Sequence, residues 1–164
     1  MLLNIHVKNM ALIQEADIDL KKGLNILTGE TGAGKSIIIG SVNVALGASG
    51  FKGFAKEGAD YALVELVFSV EDSSIREKIE QMELSVEDRQ VILSRRLTGG
   101  RSISKVNGET VTLSQVRELA ALLIDIHGQH EHQSLLHKKN HLQILDEYAK
   151  EELAPYKEKG SEIY

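Results

Sequence analysis

Residues 29–36 read Gly-Glu-Thr-Gly-Ala-Gly-Lys-Ser, a full match to the pattern G-x-x-x-x-G-K-[ST]. Gly29, Gly32 and Gly34 allow a tight backbone curl with its N–H groups facing inward. A helix starting near Lys35 adds the positive end of its dipole, so the natural ligand is polyphosphate. Gly29, Glu30, Thr31, Gly32, Ala33, Gly34, Lys35 and Ser36 are thus the candidate nucleotide-binding residues, with Mg²⁺ beside the phosphates. Lys35 is placed on the β- and γ-phosphates, and the Ser36 hydroxyl on the metal. The apolar run Leu24-Asn25-Ile26-Leu27-Thr28 ahead of the loop reads as a buried strand, which gives the strand, loop and helix order the motif requires.

The rest of the chain is ordinary enough to support such a site. An apolar share of 42% and a charged share of 26% over 164 residues suit a soluble globular domain with one sizeable core. No stretch approaches the ~20 apolar residues of a membrane helix, and Met1–His6 lacks the blocks of a signal peptide, so the expected location is cytoplasmic with no membrane partner. The absence of cysteine excludes thiolate metal sites and thiol catalysis. A formal charge of −5 argues against a uniformly basic nucleic-acid surface. Lys52, Lys56, Arg95, Arg96, Arg101 and Lys105 could still form a local basic patch, or simply a solvated charged face.

Strands are expected at Leu3–Val7 and Ala11–Leu20, joined as a hairpin. The helix after the loop, with Ile37, Ile38, Ile39, Val42, Val44, Ala45 and Leu46, is apolar nearly all round and ends at Gly47. Tyr61–Val70 reads as a strand of a second sheet. A short helix over Ile75–Met82 takes Ser74 as its cap, and strands at Gln90–Leu97 and Arg101–Val106 join through Thr98-Gly99-Gly100. Asn107-Gly108 continues them as a meander. Ser114 or Thr112 starts a helix carrying Val116, Leu119, Ala120, Leu122 and Leu123, and a long amphipathic helix follows Gln133.

The segments Ala11-Leu12-Ile13, Gly23 to Ser36 and Asp125-Ile126-His127-Gly128-Gln129-His130-Glu131-His132-Gln133 together resemble the RecN family. These are bacterial ABC-type ATPases of DNA repair, related to the structural-maintenance-of-chromosomes (SMC) proteins. Leu93-Ser94-Arg95-Arg96, Val106-Asn107-Gly108 and Val111-Thr112 are similar to the meander of an SMC-type head. The resemblance implies an α/β fold of P-loop ABC/SMC head type: a mixed sheet about the phosphate-loop helix, a flanking antiparallel sheet and the start of a coiled-coil helix. It implies a head lobe over residues 1–132 and the root of a coiled-coil arm over 133–164.

The family's junction glutamine maps onto Gln129, which the resemblance makes the water-positioning residue and, with Ser36, a contact to Mg²⁺. Lys35 and Gln129 are then the catalytic pair, and a neutral amide suits a place beside water and metal. The resemblance also implies ATP as the nucleotide and DNA, in the form of broken duplex ends, as partner. A second head of the same protein, the C-terminal half of the chain and the recombinase RecA complete the implied partners, in the bacterial cytoplasm at the nucleoid. The Asp-Glu strand end and the L-S-G-G signature that such ATPases carry in that half are absent here. Leu97-Thr98-Gly99-Gly100 imitates the signature but reads as a hairpin turn.

Three further features compete for a role. His127, His130, His132, His137 and His141 crowd one region, and His137 with His141 share a helix face, but no Glu completes H-E-x-x-H and a solvated loop is the better reading. Lys8 and Asn9 lie where related heads approach nucleotide, or merely at a strand end. The rival enzyme class is a small phosphoryl-transfer kinase or other self-contained NTPase, with Arg95 to Arg101 as its lid. A nucleotide-gated clamp with little turnover is a third reading.

Overall fold

A computed structural model describes residues 1–28 and 33–126. Met1–Asp125 make one compact unit. Its elements are β1 (Leu2–Met10), β2 (Ile13–Asp19), α1 (Ala33–Ala45), α2 (Phe51–Phe54), β3 (Tyr61–Ser69), α3 (Ser73–Gln81), β4 (Gln90–Thr98), β5 (Arg101–Val106), β6 (Glu109–Val111) and α4 (Leu113–Leu123). The strands form one sheet in the order β2-β1-β3-β4-β5-β6. Every pairing in it is antiparallel. The expectation that Tyr61–Val70 belongs to a second sheet is therefore corrected, because β3 pairs with β1 on one side and with β4 on the other.

Period-two alternation decides which face of this sheet is the core. Ile5 and Val7 of β1, Ala62, Val64, Leu66 and Phe68 of β3, and Val91, Leu93 and Leu97 of β4 are all buried. α1 packs on β1, β3 and β4. It contributes Ile37, Ile38, Val42, Val44 and Ala45 to the core, and α4 contributes Val116, Leu119 and Ala120. Burial of the Val, Leu, Ile and Phe side chains among these stabilises by about 1.5–3 kcal/mol each. α1 is not enclosed on every side as its composition suggested, since Ile39 remains exposed while Ser41 is buried and donates to the Ile37 carbonyl at 2.7 Å. Gly40 has a close-packing reason: a side chain there would run into the Phe54 ring of α2.

The turn chemistry follows the residues. Asn107 and Gly108 both have positive φ, as a type I′ hairpin between β5 and β6 demands. The Asn107 side chain also accepts from the Ile92 amide at 2.7 Å and donates to the Ser85 carbonyl at 2.8 Å, tying the turn to β4 and to the loop before it. Thr112, not Ser114, caps α4, in a reciprocal capping box with Gln115. At α3 the cap is Asp72, whose carboxylate accepts from the Ser74 amide at 2.8 Å. Ser74 itself lies inside the first turn, so its expected role passes to the residue two places earlier.

The largest departure is at Leu24–Thr28, which form no strand. Leu24 is 88% and Ile26 73% exposed. Asn25 explains part of this: its side chain accepts from the Lys21 amide and donates to the carbonyls of Lys21 and Gly23, folding the segment back on its own turn. The other part is the sheet, whose outer strands β2 and β6 offer no ladder to this run among the described residues.

Candidate nucleotide site

The glycine motif enters the described structure at its downstream end. Gly34, Lys35 and Ser36 occupy the first turn of α1, with Lys35 half-buried and Ser36 exposed. Gly29, Glu30, Thr31 and Gly32 lie outside the described residues, as does the side chain of Ala33. The turn is fixed from below because Ile37 and Ile38, immediately after Ser36, are buried in the core. No acidic residue sits in the first turn, so no carboxylate there offsets the positive end of the helix. Gly34 has neither a positive φ nor a described neighbour within 4 Å of where a Cβ would stand, so nothing in the described packing demands glycine there. Close approach of a ligand to the backbone is what would demand it. Exposed amide groups, a primary amine and a hydroxyl on one turn are the donor set that polyphosphate and its magnesium ion require.

Other residues singled out from the sequence are already engaged. Lys8 and His6 each lie 3.0 Å from the Glu15 carboxylate across the β1–β2 pair. Lys8 first, and His6 after it, hold the Glu15 carboxyl below the usual range, and Glu15 in turn raises Lys8. The Asn9 amide donates to the Tyr61 carbonyl at 3.0 Å, fastening β1 to β3. Gln129, the expected water-positioning residue, lies outside the described residues, as do His127, His130, His132, His137 and His141. Among the described residues no group of three or more metal-ligating side chains comes together. No helix among them is long and apolar enough to cross a membrane.

The expected basic patch is corrected in one member. Arg95 is only 6% exposed, because it shares the inward face of β4 with Val91, Leu93 and Leu97. Its Nη1 donates to the carbonyls of Val44 and Ala48, at 2.7 and 2.8 Å, at the end of α1. Burial, and after it the charge of Arg117, lowers its pKa. Arg96 points the other way and lies 4.1 Å from the centre of the Tyr61 ring. The alternation 91, 93, 95, 97 was the available signal for Arg95, and the arginine in that row was the residue it should have flagged. Leu97-Thr98-Gly99-Gly100 is the end of β4 and its turn into β5, as expected, with both glycines at positive φ.

An AAA-domain family model matches residues 4–163. The chain is 40% identical over its whole length to the DNA repair protein RecN of Halalkalibacterium halodurans, of which it spans 29%. It is 40% identical over 91% of its length to that of Bacillus subtilis, of which it spans 26%. The chain thus covers under a third of the curated relatives it matches. Among solved structures, an SMC ATPase described for ATP-driven dimerization and DNA-stimulated activation aligns with 74% of this chain and 78% of its own, at a TM-score of 0.58 and 22% identity. That likeness identifies the fold as the P-loop head of ABC/SMC type.

Proposed function

The chain belongs to the AAA-domain family and to its RecN branch, and from that premise we propose that it is the N-terminal, ATP-binding lobe of an SMC-like ATPase head acting in DNA double-strand break repair and recombination. The observation that carries the reading is the first turn of α1, where Lys35 and Ser36 follow the glycine motif on a helix start anchored in the core and free of acidic residues. Gly29 to Ser36 hold the phosphates of ATP, with Lys35 on the β- and γ-phosphates. The Ser36 hydroxyl and the Gln129 amide would hold Mg²⁺, which would neutralise phosphate charge. Gln129 orients the water that attacks the γ-phosphate, and the loop amides and Lys35 stabilise the charge that spreads over the transferring group.

The catalytic carboxylate and signature loop belong to the remainder of the head. The exposed Leu24, Ile26 and Leu27 support docking of that remainder beside the phosphate loop. Head pairing through ATP, binding of DNA ends, cooperation with RecA and a place at the nucleoid are the further parts of the reading. The ATP-driven dimerization of the SMC neighbour supports the head pairing, and the DNA repair name of the relatives supports a role on DNA. A kinase lid at Arg95 to Arg101 has no support, because those residues are β4, a tight turn and the first residue of β5.

Lys35→Ala tests the assignment. In a mutant with unchanged circular dichroism, calorimetric titration with ATP and Mg²⁺ should show binding lost, whereas unchanged affinity would end the phosphate-loop reading. The chain alone should turn ATP over negligibly and gain activity when the C-terminal half of a RecN relative is added. Vigorous turnover by the chain alone would favour the self-contained NTPase or kinase.

A further inference from the structure

A cavity of about 270 Å³ opens between the start of α2 and the β4–β5 hairpin, lined by Gly50, Phe51, Lys52, Arg95, Leu97, Gly100 and Ser102. Phe51, Leu97 and Arg95 are buried and form its floor, while Lys52, Gly100 and Ser102 are exposed and form its mouth. The Arg95 guanidinium lies 5.3 Å from the Phe51 ring centre. Its Nη1 is used twice on the end of α1, and its Nη2 reaches Ser102 Oγ only at 3.5 Å. Its Nε is buried with no hydrogen-bond partner among the described residues.

A buried charged donor left unmet is costly, so capping the end of α1 accounts for only part of this side chain. No carboxylate lines the cavity, and the charges that do are Lys52 and Arg95. Arg117 stands nearby, donating to the Gly47 carbonyl at 3.0 Å. Lys52 Nζ lies over the hairpin turn, 3.7 Å from where a Cβ on Gly100 would be. A site with cations and a hydroxyl but no acid selects an anion.

The geometry points to an oxyanion site in this cavity, taking a single phosphate group on Lys52 Nζ and Ser102 Oγ at its mouth, over the positive charge of the buried Arg95 guanidinium. Its volume falls below the ~300–1,000 Å³ of pockets that enclose drug-sized ligands, which fits one phosphate group better than a whole nucleotide. It is separate from the phosphate loop, because Arg95 grips Val44, which is nine residue steps along α1 from Lys35, a rise of about 13 Å. The phosphate can come from a nucleic-acid backbone or from solution, and the two sources are separable.

The test uses the chain carrying Lys35→Ala, so that the phosphate loop cannot contribute, and follows the Arg95 Nε–H resonance by NMR. Inorganic phosphate or a short DNA duplex should move that resonance saturably, with chloride at matched ionic strength leaving it still. A response to duplex at phosphate-group concentrations where free phosphate gives none assigns the backbone, and an equal response to free phosphate assigns the solution anion. Lys52→Gln, at an exposed position, should weaken the response about tenfold without changing the melting temperature. A resonance that neither phosphate source moves, or a response untouched by Lys52→Gln, would overturn the site.

Discussion

Val64, Leu66 and Phe68 of β3 are sealed from solvent, whereas Leu24, Ile26 and Leu27, a run of comparable side chains, stand in it. β3 has a hydrogen-bonded strand on each side and α1 across its inner face. Residues 24–28 have neither, and Asn25 satisfies the backbone of the preceding turn instead. Apolar content therefore becomes a strand only where a ladder and a cover are both at hand. The β3–β6 meander brings its own partners within a few dozen residues. The approach to the phosphate loop depends on partners that the described residues do not supply.

The contrast is most easily broken at its buried end. Phe68→Ala should destabilise the chain by about 3–5 kcal/mol, because the site is enclosed by β1, β4 and the helices and cannot collapse onto solvent. Urea unfolding at constant m-value is the measurement. A change below about 1 kcal/mol would mean the meander is as loosely held as the loop approach.

That same difference governs what could be read from residues alone. β4, β5 and the Asn107-Gly108 turn were legible because alternation and turn chemistry are local, and the register they set needs no distant information. Gly34, Lys35 and Ser36 at a helix start were legible for the same reason. The union of β1 with β3 was not, since a pairing across more than 50 residues leaves no local trace. Arg95 was misjudged because residue type outweighed its place in the inward row. The cap of α3 was displaced because Asp72 and Ser74 are both good caps and only backbone geometry separates them.

At the far end of the meander the expected effect is smaller. Thr112→Ala removes the side chain that accepts from the Gln115 amide at 3.3 Å and breaks the reciprocal box, so α4 should lose about 1 kcal/mol. Amide exchange measured residue by residue should show the loss first in α4. Uniform loss across the sheet would indicate that α4 and the meander unfold together.

Between the two regions, the β1–β2 pair carries an exposed charge cluster with a pH signature. Glu15 is depressed in the folded chain, so its contribution is present above its ordinary value of 4.5 and is lost as pH falls through the lowered one. Lys8 is raised, so its share is present below its ordinary value of 10.5 and is lost as pH rises through the raised one. Glu15→Gln should flatten the acid limb of the stability profile and leave its neutral plateau close to wild type, since exposed ion pairs contribute little. An acid limb with the same slope in both proteins would detach the cluster from folding.

The smallest effect is expected where the chain is most apolar on its surface. If Leu24–Thr28 were a strand buried in this chain, replacing Ile26 by Ser would strip a core side chain and leave a hydroxyl without a partner, at several kcal/mol. With Ile26 exposed, the same change should stay within about 0.5 kcal/mol, and the unfolding midpoint in urea should hardly move. The effect should instead appear in association, because the apolar side chain has its use against the remainder of the head. Ile26→Ser should then weaken binding of the C-terminal half of a RecN relative while an exposed control on the outer strand β6, Glu109→Gln, does not. A large loss of stability in the chain alone would make the loop approach part of the core, and the distinction between a self-sufficient meander and a dependent phosphate-loop segment would fall.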